Sequence, residues 1–189
     1  ALLRNLATTL DDEVIGIITI HVDDLLITGN DEFYKTAIQA IRDKLDVGTE
    51  DKQCFRYVGA LLTQNDARTE IVWDMTLYCE AITESPLPPG VRDDELLDKV
   101  YHNKYRGLLG KMTWVSVQGR PDISFMINRC ARKGAGPCLQ DLKDLNKCVR
   151  YLRKVKTVIR FCRVGVKRVI LYTDANSAPA VTTNDTLDS

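Results

Sequence analysis

The chain has 189 residues, enough for one large domain or two small ones with a real core. Hydrophobic residues make up 44% and charged residues 28%, a globular composition that excludes a mostly disordered chain. The formal net charge is zero, and the longest apolar stretch, residues 14–20, is far below the roughly 20 residues a bilayer-spanning helix needs. No membrane partner is expected.

The opening ALLRNLATTL has neither a long apolar run nor a cleavage site, so it is not read as a secretory signal. It starts without Met, and the chain is expected to be a piece of something longer. The zero charge hides an asymmetry. Residues 1–98 carry 8 Lys and Arg against 20 Asp and Glu, a net of −12. Residues 99–168 carry 18 bases against Asp122, Asp141 and Asp144, a net of +15, and residues 169–189 have a net of −3. An acidic half followed by a basic half suggests two modules, the second facing a polyanion. The six cysteines form no CxxC pair, and His21 and His102 lie far from one another. This pattern fits neither a disulfide scaffold nor a zinc site, and predicts buried, reduced thiols in an intracellular compartment.

In chain order, residues 14–21 (VIGIITIH) read as a buried strand and residues 25–28 (LLIT) as a second, joined by a tight tip at 22–24. Asn30 is a fair N-cap for a helix over 31–45 with Tyr34, Ile38, Ile41 and Leu45 on one face. Residues 54–64 and 70–74 look like two strands around the turn-forming Asn65-Asp66, followed by a short helix over 76–83. The run SPLPPG at 85–90 marks a linker. Three helices follow, over about 103–117, 122–133 and 139–155, with Pro121 in the first turn of the second. Residues 158–164 and 169–172 read as strands, and the tail from Ser177 as small and polar.

Two constellations carry chemistry. Adjacent Asp23 and Asp24 at a hairpin tip can ligate a divalent cation through hard oxygens, although such a pair is more often plain turn chemistry. Lys143, Lys147, Arg150 and Lys154 recur at spacings of four, three and four on one helix face. A solvated face is the ordinary reading of such a stripe. With only three acids among these 70 residues, a phosphate backbone is favoured.

Six blocks then fall in one order. His21-Val22-Asp23-Asp24-Leu25-Leu26 looks like a Tyr/His-X-Asp-Asp signature, and Phe55-Arg56-Tyr57-Val58-Gly59 like F-x-Y-L-G. Tyr105-Arg106-Gly107-Leu108-Leu109-Gly110 looks like Y-R-x-x-V-G, Gly119-Arg120-Pro121-Asp122-Ile123 like T-R-P-D-I, Arg150-Tyr151-Leu152-Arg153 like R-Y-L-K, and Tyr172-Thr173-Asp174-Ala175 like Y-S-D-A. Together they resemble the reverse transcriptases of copia-type LTR retrotransposons over nearly the whole chain.

The resemblance implies an α+β fold: an antiparallel palm portion with the HVDD hairpin over 1–84, a linker over 85–98, a three-helix thumb over 99–156, and a short C-terminal β segment over 157–189 leading into ribonuclease H. It implies RNA-directed DNA polymerisation by two-metal nucleotidyl transfer, with Mg²⁺ on Asp23 and Asp24. Its third carboxylate and its fingers would precede Ala1. Tyr57, Val58 and Trp73 would support the primer hairpin. Lys143, Lys147, Arg150, Lys154 and Arg120 would contact RNA or an RNA–DNA hybrid, and Asp174 would be a ribonuclease H remnant. Departures occur at Trp73-Asp74-Met75, where the family commonly has Gln, and at 176–179. The alternative is an inactive retroelement-derived subunit, structural or nucleic-acid-binding, within a larger assembly of other subunits.

Overall fold

The β-branched run Glu13–His21 (β2) pairs antiparallel with Arg4–Leu10 (β1) on one side and Asp24–Gly29 (β3) on the other. This computed structural model describes residues 4–10 and 13–163. β1 has no counterpart in the sequence reading. Its Thr8-Thr9 step interrupts the alternation, and the register shifts there.

Asn30 caps the next segment as expected, its side-chain oxygen accepting the Phe33 N–H at 2.9 Å. The expected regular helix over 31–45 is replaced by Asp31–Phe33 (α1), a π turn over Tyr34–Ile38, and Gln39–Arg42 (α2). The wider turn breaks the 3.6-residue period, and Leu45, assigned to the apolar face, lies exposed past the helix end. Phe33 is fully buried over Gly16 and Gly29, which face one another across β2 and β3. A Cβ on either glycine would collide with the ring, so Gly29 serves close approach rather than the turn alone. Phe33, Ile18 and Ile38 form a small core.

The second sheet has the order β4-β5-β6-β7, all antiparallel: Cys54–Tyr57 (β4), Ala60–Gln64 (β5), Glu70–Asp74 (β6) and Ile159–Cys162 (β7). The single strand expected over 54–64 is two strands. Val58 and Gly59 form a two-residue turn with φ of 52° and 84°, both left-handed, as a type I′ hairpin requires. Asn65 closes the β5–β6 turn, accepting the Thr69 N–H at 2.8 Å and the Glu70 N–H at 3.1 Å. Thr76–Glu80 (α3) follows, with the Asp74 carboxylate accepting the Thr76 N–H at 2.7 Å.

Lys99–Gln118 (α4) begins four residues before the expected 103, because Asp98 caps it by accepting the Tyr101 N–H at 2.8 Å. The second basic helix splits into a 3₁₀ turn over Pro121–Ile123 and Ser124–Ala131 (α5). Leu139–Lys154 (α6) matches its expected span. Tyr105, Met112 and Val115 of α4, Ile127 and Cys130 of α5, and Leu142, Leu145, Val149 and Leu152 of α6 share one core with Tyr57, Ala60 and Leu62 of the second sheet.

That core crosses the position where the charge changes sign. Residues 85–98 carry no helix or strand, yet they are strapped to α6 rather than free. Buried Ser85 exchanges hydrogen bonds with Asn146, and the Leu97 N–H donates to the Pro137 carbonyl at 2.9 Å. A further interval without helix or strand, at 43–53, lies between the two cores. β7 returns from α6 to pair with β6, so residues after the helices join the second sheet. All six cysteines are free. Cys79, Cys130 and Cys148 are buried as expected, whereas Cys54 and Cys162 are exposed. No described helix is long and apolar enough to cross a membrane. The expected strand at 169–172, Asp174 and the polar tail lie outside the described residues.

Candidate functional site

β2 and β3 are joined by only Val22 and Asp23, with His21 paired to Asp24. Val22 sits at φ 54°, a left-handed conformation that costs a β-branched residue roughly 1–2 kcal/mol. The turn exposes Asp23 and Asp24, as expected for a hairpin tip. Among the described residues neither carboxylate has a hydrogen-bonding or ion-pairing partner, so their lone pairs are open to a hard cation. Two such oxygen donors fit Mg²⁺ as part of a site. No group of three or more His, Cys, Asp or Glu side chains suited to a metal gathers among the described residues.

The tip rests on aromatic rings from the second sheet. His21 meets Tyr57 edge-on, and Tyr57 meets Trp73 in the same way with centroids 6.4 Å apart. Tyr57 is only 6% exposed, and burial, followed by the nearby Asp24 charge, pushes its phenol above the ordinary range. Its Oη and the Trp73 Nε1 are both buried without a hydrogen-bond partner. The fold thus brings Tyr57 against His21 at the base of the turn, with Trp73 packed behind Tyr57. Val58, the third expected support residue, occupies the β4–β5 turn and packs against the large core.

Arg120 requires a correction. Expected among the phosphate contacts, it is 2% exposed. Its Nε and Nη2 donate to the two carboxylate oxygens of Asp122 at 2.9 and 2.8 Å, and its Nη1 donates to the Leu152 carbonyl at 3.3 Å. The Arg120 hydrogen bonds hold the Asp122 carboxyl below its ordinary pKa. Preceding Gly119 admits Met75, whose Sδ would lie 2.8 Å from an added Cβ. This block therefore joins α4, α6 and the second sheet, and its guanidinium faces no solvent.

The four cations chosen on α6 are not equivalent. Lys143 pairs with Asp93, Arg150 with Glu84, and Lys147 with Asp144 at 2.7 Å. Lys154 has no partner among the described residues; with Arg150, Arg153, Lys156, Glu80 and Glu84 it lines a cleft of about 570 Å³. Sequence reasoning passed over Arg106 and Lys111 of α4 and Arg129 of α5, with Arg132 and Lys133 just past that helix. All are exposed and unpartnered among the described residues. The spacing of Arg129, Arg132 and Lys133 from exposed Phe125 was the available signal.

One comparison with known proteins bears on this arrangement. The chain is similar to a retrovirus-related Pol polyprotein from transposon RE1 of Arabidopsis thaliana. Identity is 26% over 151 residues, which is 70% of this chain and 10% of that relative. The likeness supports a retrotransposon-derived chain, and it spans a small part of the relative's length. No family model matches, and no solved structure matches.

Proposed function

We propose that this chain is part of a copia-type reverse transcriptase, contributing two metal-binding carboxylates and a surface for primer–template nucleic acid. The observation that carries the reading is the exposed, unpaired Asp23–Asp24 turn, anchored through His21 on Tyr57. The distant similarity to a transposon Pol polyprotein supports it.

In this reading Asp23 and Asp24 would hold Mg²⁺, which supplies Lewis-acid activation of a primer hydroxyl and charge stabilisation at the leaving phosphate. The residues of the chain itself bind and orient. Carboxylate oxygens face solvent at the end of a rigid hairpin, where Val22 is held in a strained turn by nine-residue β2. Tyr57, Val58 and Trp73, which belong to the β4–β5–β6 strands and their turn, would support the primer end. The exposed cations of the helices neutralise phosphates of an RNA–DNA hybrid, whose A-like shape is read through its backbone. These cations also suit a retained nucleic-acid-binding subunit, which needs the basic surface alone.

The test is fluorescence anisotropy of the full chain with an RNA–DNA hybrid at several salt concentrations. Four phosphate contacts give a log–log slope on the order of −3 to −4. Lys147→Glu/Arg150→Glu and Arg129→Glu/Lys133→Glu are expected to weaken binding, with circular dichroism showing that the helices persist. No binding at low salt, or binding untouched by both charge reversals, overturns the nucleic-acid reading.

A further inference from the structure

The basic face of α6 already carries carboxylates of the same chain. Glu84 meets Arg150 and Asp93 meets Lys143, and just past the helix Glu80 meets Lys156 at 2.6 Å. Glu84 and Asp93 belong to residues 84–98, a strap holding five acids and one base, Arg92.

Uncharged hydrogen bonds set the position of that strap. The Ser85 N–H donates to Asn146 Oδ1 at 2.9 Å, and Asn146 Nδ2 donates back to the Ser85 carbonyl at 2.8 Å. The Gln140 N–H donates to the Asp93 carbonyl at 2.9 Å, and the Leu139 N–H to the Glu95 carbonyl at 3.1 Å. Backbone anchors at both ends thus deliver the carboxylates to α6 whether or not they are ionised. A strap held only by its ion pairs would leave when they broke. This one stays, and its charges act locally on Lys143 and Arg150.

We infer that residues 84–98 act as an internal phosphate mimic. Glu84 and Asp93 stand at anion positions on α6 that the backbone of an RNA–DNA hybrid takes, and so lower the affinity of this face. The inference rests on the nucleic-acid reading above. Exposed ion pairs are individually weak, so the phosphates of a duplex displace them without unfolding the strap. Each pair broken still opposes binding, and each pair that stays closed leaves one phosphate counterion of the hybrid unreleased.

The experiment uses the full chain and a fluorescein-labelled RNA–DNA hybrid, comparing the native protein with Glu84→Gln/Asp93→Asn. A control of equal charge change, Glu32→Gln/Asp66→Asn, lies outside the strap. The expected result is binding about three- to tenfold tighter for the strap variant than for the control. Its log–log salt slope should be steeper by about 0.9 for each cation freed. Circular dichroism and native denaturation midpoints check that the variants fold. Native binding with equal affinity for strap variant and control overturns the mimic while leaving the nucleic-acid reading intact. Absence of binding by all three proteins at low salt overturns both.

Discussion

The imidazole of His21 stands edge-on to the ring of Tyr57, centroids 6.3 Å apart and planes at 70°. His21 ends β2 opposite Asp24, whereas Tyr57 ends β4 and belongs to the large core. This contact therefore ties the carboxylate turn to the sheet beneath the helices, and Leu26 of β3 adds an apolar contact with the same core.

Tyr57 offers a test in which two substitutions move stability in different directions. Tyr57→Phe retains both ring contacts and removes a buried hydroxyl that has no partner. Stability is expected to stay level or rise by about 1 kcal/mol. Tyr57→Ala loses the ring and is expected to cost about 3–5 kcal/mol. Urea denaturation midpoints decide it. A Phe variant clearly weaker than the native chain would show that the hydroxyl holds a bond in solution.

Val58 is a poor residue for the conformation it adopts. Its φ of 52° is a left-handed value, and it precedes Gly59 at 84° in a two-residue hairpin. Val58→Asn creates the Asn-Gly pair that such turns favour. A gain of about 1 kcal/mol is expected, read as a higher thermal midpoint. An unchanged or lower midpoint would mean that the packing of Val58 on the core outweighs the strain of its turn.

Arg120 and Asp122 predict an acid-sensitive junction. Asp122 has a folded pKa below its unfolded value of 3.8, so its contribution is fully present above that pH and is lost as pH falls through the folded value. The native denaturation midpoint should decline from about pH 3.8 downward, and Asp122→Asn should remove that share of the decline. Arg120→Ala, which leaves Asp122 and the Leu152 carbonyl without their donor, is expected to cost about 3 kcal/mol at neutral pH. Parallel pH profiles for the native chain and Asp122→Asn would count against the junction.

The aspartate pair sets an expectation for activity. No third carboxylate gathers with Asp23 and Asp24 among the described residues, and two-metal transfer uses more ligands than two acids supply. The chain alone, given Mg²⁺, nucleotides and a primed RNA template, is expected to extend primer no further than Asp23→Asn/Asp24→Asn does. Incorporation above that control in a gel extension assay would mean the site is completed within this chain.

What was legible along the chain was local. A β-branched run, a gap of two residues and a second apolar run define the β2–β3 hairpin, because strand pairing between neighbours needs no distant information. The apolar spacing of Leu142, Leu145, Val149 and Leu152 likewise defines α6. The Val58–Gly59 turn was hidden, since valine carries no turn signal and only its pairing partners reveal the break. The fate of the cations was hidden too. Arg120 looks like any exposed base until Leu152, 32 residues away, supplies its carbonyl. Arg150 looks free until Glu84, 66 residues away, meets it. Composition and periodicity settle which segments bury a face and where charge of one sign accumulates. Which charge is buried, which is paired and which faces solvent depends on groups brought together by packing, and the long-range contacts of the folded chain alone decide that.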